Sequence, residues 1–74
     1  MNKEELGKLI KHRRKVLGIT IRELADLTGM SKTTISQIER GVRNPTFDIL
    51  QHIFEYLSLE IKVEIKKANN KIWS

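Results

Sequence analysis

Apolar and polar residues along this chain fall into four stretches of helical period followed by one of period two. In the first, Leu6, Ile10, Arg14 and Leu17 recur at spacings of three and four. They form the inner stripe of an amphipathic helix, bordered by Leu9 and Val16. Asn2 can cap its start, Glu4 and Glu5 suit the positive end of its dipole, and Gly18 stops it. The second stretch begins at Thr20, a capping hydroxyl, with Glu23 three residues on to complete a capping box. Its face is Ile21, Leu24, Ala25 and Leu27, and it ends at Gly29, where a left-handed position costs glycine least. Ser31 can cap a short third helix that turns Ile35 and Ile38 inward and Lys32, Thr33, Ser36, Gln37 and Arg40 outward. Pro45 bars helix through the loop of Val42, Arg43 and Asn44. Thr46 then caps a fourth helix over residues 47–57, with Phe47, Leu50, Ile53, Phe54 and Leu57 as its core face.

The period changes after that. Residues 59–66, L-E-I-K-V-E-I-K, alternate apolar and charged positions without a fault, which predicts a half-buried strand. It is the only strand pattern in the chain, and a single strand leaves its backbone groups unpaired. The economical solution is a second copy. Leu59, Ile61, Val63 and Ile65 would then line a symmetric antiparallel ribbon in a homodimer. A register centred on Val63 sets Glu60 against Lys66 and Lys62 against Glu64, whereas the neighbouring register sets Lys62 against its own copy. The alternative is a flexible or helical tail. Residues 67–74 are polar apart from Ile72 and Trp73; Trp73 either packs back on the dimer or anchors a partner protein. The expected division is therefore a domain over 1–58, a dimerisation strand over 59–66 and a tail over 67–74.

Two short helices meeting at Gly29, the second polar and basic on its outer side, follow the helix-turn-helix plan, in which the second helix enters the major groove. Ala25 is the small residue such a crossing needs. The length of 74 residues allows one small domain, and the absence of cysteine removes disulfides and thiolate metal sites as supports. Fourteen Lys and Arg against nine Asp and Glu give a net charge of +5, which favours polyanion partners but also serves solubility alone. For any one of Lys8, Lys11, Arg13 and Lys15, a solvated face and a phosphate contact are equally good readings. No membrane-length apolar run or signal-peptide opening is present, so a cytoplasmic protein is expected. His12 and His52 have no partner at metal-ligand spacing, and no nucleophile–base pair or glycine-rich phosphate loop is found. Neither enzyme activity nor a metal or cofactor is expected. One inner position is charged: Arg14 lies on an apolar stripe, and a buried arginine needs a carboxylate. Glu39, beside Ile35 and Ile38, is the candidate; otherwise both side chains snorkel to solvent.

Residues 6–57 resemble the lambda-repressor-like family, the Cro and XRE-type helix-turn-helix regulators. The likeness rests on L-x-x-L-I-x-x-x-R, then G-I-T-I-R-E-L-A-x-L-T-G-M-S, then T-I-S-Q-I-E-R-G-V-R-N-P-T. It implies a mostly α, compact four-helix bundle that binds double-stranded DNA, and it supports the Arg14–Glu39 pair. By position, Lys32, Thr33 and Gln37 match base-contacting residues, and Ser36 would reach a base edge or the groove wall. Thr34, Arg40, Arg43 and Asn44 match phosphate contacts, joined by amides around Thr20 and Ile21. Ile21 departs from the family, which often has a glutamine there to brace the recognition helix; Arg22 is left to compensate. The four-helix core followed by one strand looks most like the HipB-type antitoxins, which would add a HipA-type kinase toxin as partner. Two functions follow from these likenesses: a homodimeric repressor on a palindromic operator, or an antitoxin for which autorepression is secondary.

Overall fold

Four side-chain caps start four helices in the computed structural model, which describes residues 1–65. Asn2 Oδ1 accepts from the Glu5 amide at 2.8 Å, Thr20 Oγ1 from Glu23 at 3.0 Å, Ser31 Oγ from Thr34 at 3.1 Å and Thr46 Oγ1 from Ile49 at 3.2 Å. The helices that follow are α1 (Lys3–Val16), α2 (Ile21–Thr28), α3 (Lys32–Glu39) and α4 (Phe47–Leu57). Each cap satisfies an amide that the first turn leaves without a partner.

The bundle pairs α1 with α3 and α4, and α2 with α3 and α4. Its core is Ile10, Leu24, Ala25, Ile35, Ile38, Ile53, Phe54 and Leu57, with Leu6, Leu9, Ile19, Ile21, Met30 and Leu50 packed around it. Two glycines set how closely α1 lies on α3. A Cβ on Gly7 would sit 2.6 Å from the Glu39 carbonyl oxygen and closer still to that of Ile38. At Gly41, just past α3, φ is +74° and a Cβ would meet the Glu4 Cα at 2.9 Å. Backbone therefore lies against backbone along this seam.

Three apolar residues expected in the core lie outside it. Leu17 is exposed beyond the last turn of α1, Leu27 is 48% exposed and Phe47 is 59% exposed. For Leu27 the reason is visible: α2 is covered by α3 and α4 on the side of Leu24, Ala25 and Thr28, and Thr28 takes the buried place. The Thr28 hydroxyl can be buried because it donates to the Leu24 carbonyl at 2.8 Å.

No strand forms among the described residues. Residues 59–65 leave α4 through Ser58 in a left-handed conformation (φ 55°), the Leu59 amide donating to the Phe54 carbonyl at 3.0 Å, and then run on without a strand partner among the described residues. Leu59 and Ile61 pack against the core, while Val63 is 95% and Ile65 66% exposed. The strand expected over 59–66 is thus not formed among the described residues, which hold no second alternating segment to pair with it. Lys66, the tail over 67–74 and Trp73 lie outside the described residues.

The seam makes an unusual substitution prediction. In an exposed helix interior Gly→Ala stabilises by about 1 kcal/mol. Gly7→Ala should instead destabilise, by about 1–3 kcal/mol as for other overpacked sites. Urea denaturation reads the sign directly, and an unchanged or raised midpoint would refute the close α1–α3 contact.

Candidate nucleic-acid interface

The corner between α2 and α3 is built from the caps outward. Thr20 and Glu23 form a reciprocal capping box: the Thr20 amide donates to Glu23 Oε1 at 3.0 Å and Thr20 Oγ1 accepts from the Glu23 amide. The Thr20 amide, followed by its side chain, holds the Glu23 carboxyl below its ordinary range. This amide is therefore already engaged, which corrects its expected availability to a phosphate. The turn passes through Gly29 at φ 72°, and Ser31 starts α3. Ser31 also donates through its hydroxyl to Thr34 Oγ1 at 2.8 Å, leaving Thr34 half-buried against its own cap.

α3 has two unlike sides. Ile35 and Ile38 are 1% exposed and Glu39 is buried, whereas Lys32, Thr33 and Arg40 are exposed and Ser36 and Gln37 half-buried. A cleft of about 360 Å³ is lined by Lys32, Thr33, Ser36 and Arg40 together with Ile21 from the start of α2. Ile21 thus stands beside the outer face of α3, where its side chain has no polar group to offer. Arg22 is exposed on the first turn of α2, and Arg43 and Asn44 are exposed in the loop after α3. Among the described residues, Arg22, Lys32, Arg40 and Arg43 form no salt bridge.

Behind this face lies a buried fork. Arg14 Nε donates to Glu39 Oε2 at 2.7 Å and Nη2 to Oε1 at 3.0 Å, while Nη1 donates to the Ile19 carbonyl at 2.9 Å. The bond to Glu39 raises the Arg14 pKa above its ordinary value, against the lowering effect of burial. The pair joins α1 to the inner side of α3 and anchors the α1–α2 loop as well.

Three further ties had no counterpart in the sequence. Arg13, read there as mostly outward, donates from Nε to the Leu57 carbonyl at 2.8 Å and closes the end of α4. His52, given no role there, lies with Nε2 2.8 Å from the Thr28 carbonyl, and a carbonyl can only accept, so that nitrogen carries the proton. The His52 ring also meets Tyr56 edge-on at 5.5 Å. A free carbonyl at a helix end always seeks a donor, but nothing local says which residue supplies it. The third surprise is on the outer face, where Arg43 Nε donates to Gln37 Oε1 at 2.9 Å.

Comparison with known proteins agrees with this geometry. A family model described as helix-turn-helix (HTH_3) matches residues 10–62. An uncharacterized HTH-type transcriptional regulator of Mycobacterium tuberculosis is 34% identical over 62 residues, covering 84% of this chain and 44% of the relative. The chain thus spans less than half the length of that relative. The crystal structure of the clp gene regulator ClgR from Corynebacterium glutamicum is similar with a TM-score of 0.74 at 30% identity, over 77% of this chain and 61% of the other. A mutant of the restriction-modification controller protein C.Esp1396I gives a TM-score of 0.73 at 32% identity, over 81% and 80% of the two chains. None of these three is described as an antitoxin.

The fork is open to a double-mutant cycle. Arg14→Met and Glu39→Ala should each cost about 3–5 kcal/mol, because each strands a buried charge or leaves its donors unpaired. The double variant should lose little beyond either single one in urea denaturation. Additive losses would show that the two residues act separately.

Proposed function

Because the chain belongs to the helix-turn-helix family, we propose that it is a sequence-specific DNA-binding transcriptional regulator, a repressor that acts as a homodimer on a palindromic operator. The observation that carries this is the two-sidedness of α3: the buried side is tied down by Ile35, Ile38 and Glu39, and the outer side offers Lys32, Thr33, Ser36 and Gln37 beside Arg40 and Arg43, cations that form no salt bridge among the described residues. A helix held by one side and polar on the other suits insertion into the major groove.

The chemistry divides the work. Lys32 suits guanine acceptors, Gln37 presents an amide to a base edge, and Thr33 and Ser36 reach a base or the groove wall. Arg22, Thr34, Arg40, Arg43 and Asn44 surround these residues in the α2–α3 corner and the following loop, where they would meet phosphates. Phosphate contacts dominate affinity, and base contacts set the sequence. Binding over a promoter would exclude other proteins from the same groove, which is the simplest route to repression.

The pairing of two copies rests on residues 59–66. With Leu59 and Ile61 against their own core, Val63 and Ile65 are left as apolar surface that water does not favour. A second copy running antiparallel covers them and pairs the backbone groups. An antitoxin role, with a HipA-type kinase as partner, rests on the same segment and on Trp73; no observation among the described residues favours it over regulation.

Three experiments test this reading. Selection from random duplex DNA should enrich a palindrome whose half-sites lie roughly 34–36 Å apart, or one helical turn. Enrichment of no sequence would refute it. Arg40→Ala should weaken binding to all sequences alike and reduce the salt slope by about one unit. Separately, removal of residues 59–74 should give monomers in sedimentation, and a stable dimer without them would exclude the ribbon.

A further inference from the structure

The bond between Arg43 and Gln37 joins two residues to which separate tasks fall, a phosphate contact and a base contact. It is a built contact. After α3, the Gly41 amide returns to the Ile38 carbonyl and the Val42 amide to the Gln37 carbonyl, each at 3.1 Å. These two bonds, with Gly41 at φ 74°, fold the loop back over the last turn of α3. Arg43 is delivered by that turn to the side of Gln37, and its Nε lies 2.9 Å from Gln37 Oε1. Arginine has donors only, so the carboxamide oxygen must face it and the Nε2 hydrogens must face away.

This orientation changes what Gln37 can recognise. A free glutamine suits adenine, accepting from the N6 amino group and donating to N7. Guanine presents two acceptors, O6 and N7, and is matched by donors alone. When the guanidinium occupies Oε1, the remaining acceptor capacity is weakened and Nε2–H is left as the principal group offered to a base. The Nη groups of Arg43, with no salt bridge among the described residues, extend the row of donors.

We propose that Arg43 is a positioning residue for specificity: by holding Gln37 Oε1 it converts Gln37 from an adenine reader into a donor-only reader that selects guanine. This rests on α3 being the base-reading helix.

The test is site selection with the full chain, followed by titration of all four base pairs at the affected position. That position is the one whose preference disappears in Gln37→Ala. The parent protein should prefer guanine there. Arg43→Ala should reverse the order to adenine, by about tenfold, as expected for one bidentate contact. A melting curve shared with the parent shows that the variant is folded. If Arg43→Ala weakens every sequence equally and leaves guanine preferred, the inference is wrong while the regulator reading stands. A parent protein that already selects adenine at that position overturns it in the same way. If the parent selects no sequence, both fail together.

Discussion

One guanidinium, buried between helices, determines where α3 can lie. Arg14 satisfies two N–H groups on Glu39 and a third on the Ile19 carbonyl, so α1, α3 and the first loop share a single hub. Such a hub tolerates little displacement. Burying two charges is costly unless every donor finds an acceptor, and the reach of one arginine is short. The close approach of α1 to α3 at Gly7 is what keeps the two charges within that reach. A side chain at Gly7 would part the helices and lengthen the bonds of the fork.

The other ties extend the same frame. Arg13, one residue before the hub, closes the end of α4, and His52 reaches from α4 back to the end of α2. All four helices are thereby linked by polar contacts at their ends in addition to the apolar core. Charged and polar side chains here work inward as much as outward. Of the basic residues, Arg13 and Arg14 build the frame, whereas Arg22, Lys32, Arg40 and Arg43 are exposed on α2, on α3 and just after it. Net charge alone could not separate these two groups.

Local features were legible in the sequence. The caps Asn2, Thr20, Ser31 and Thr46, the capping box and the left-handed glycine at the corner all act within a few residues, and short-range rules describe them well. The inner side of α3 was legible for the same reason. What escaped was long-range. Arg13 meets a carbonyl 44 positions away and His52 one 24 positions away, and no pattern announces either. Gly7 did leave a trace, since glycine inside a helix is unfavourable and asks for a packing reason. Leu27 and Phe47 show the limit of periodicity: it finds a face but cannot tell how wide a neighbouring helix will cover it. The groups around α3 were legible as residues; that Arg43 holds Gln37 was not, because it depends on the turn at Gly41.

The separation of inner and outer residues on a helix of only eight positions bears on how such a protein changes over generations. Residues that hold α3 and residues that face outward do not overlap, so an exchange at Lys32 or Thr33 leaves the frame untouched. On the proposed reading of DNA by α3, new target sequences are then reachable by single steps through folded intermediates. Gln37 and Arg43 are the exception, since they form one bonded unit spread over a helix and a loop. Divergent copies should therefore vary freely at the first two positions and change the last two together.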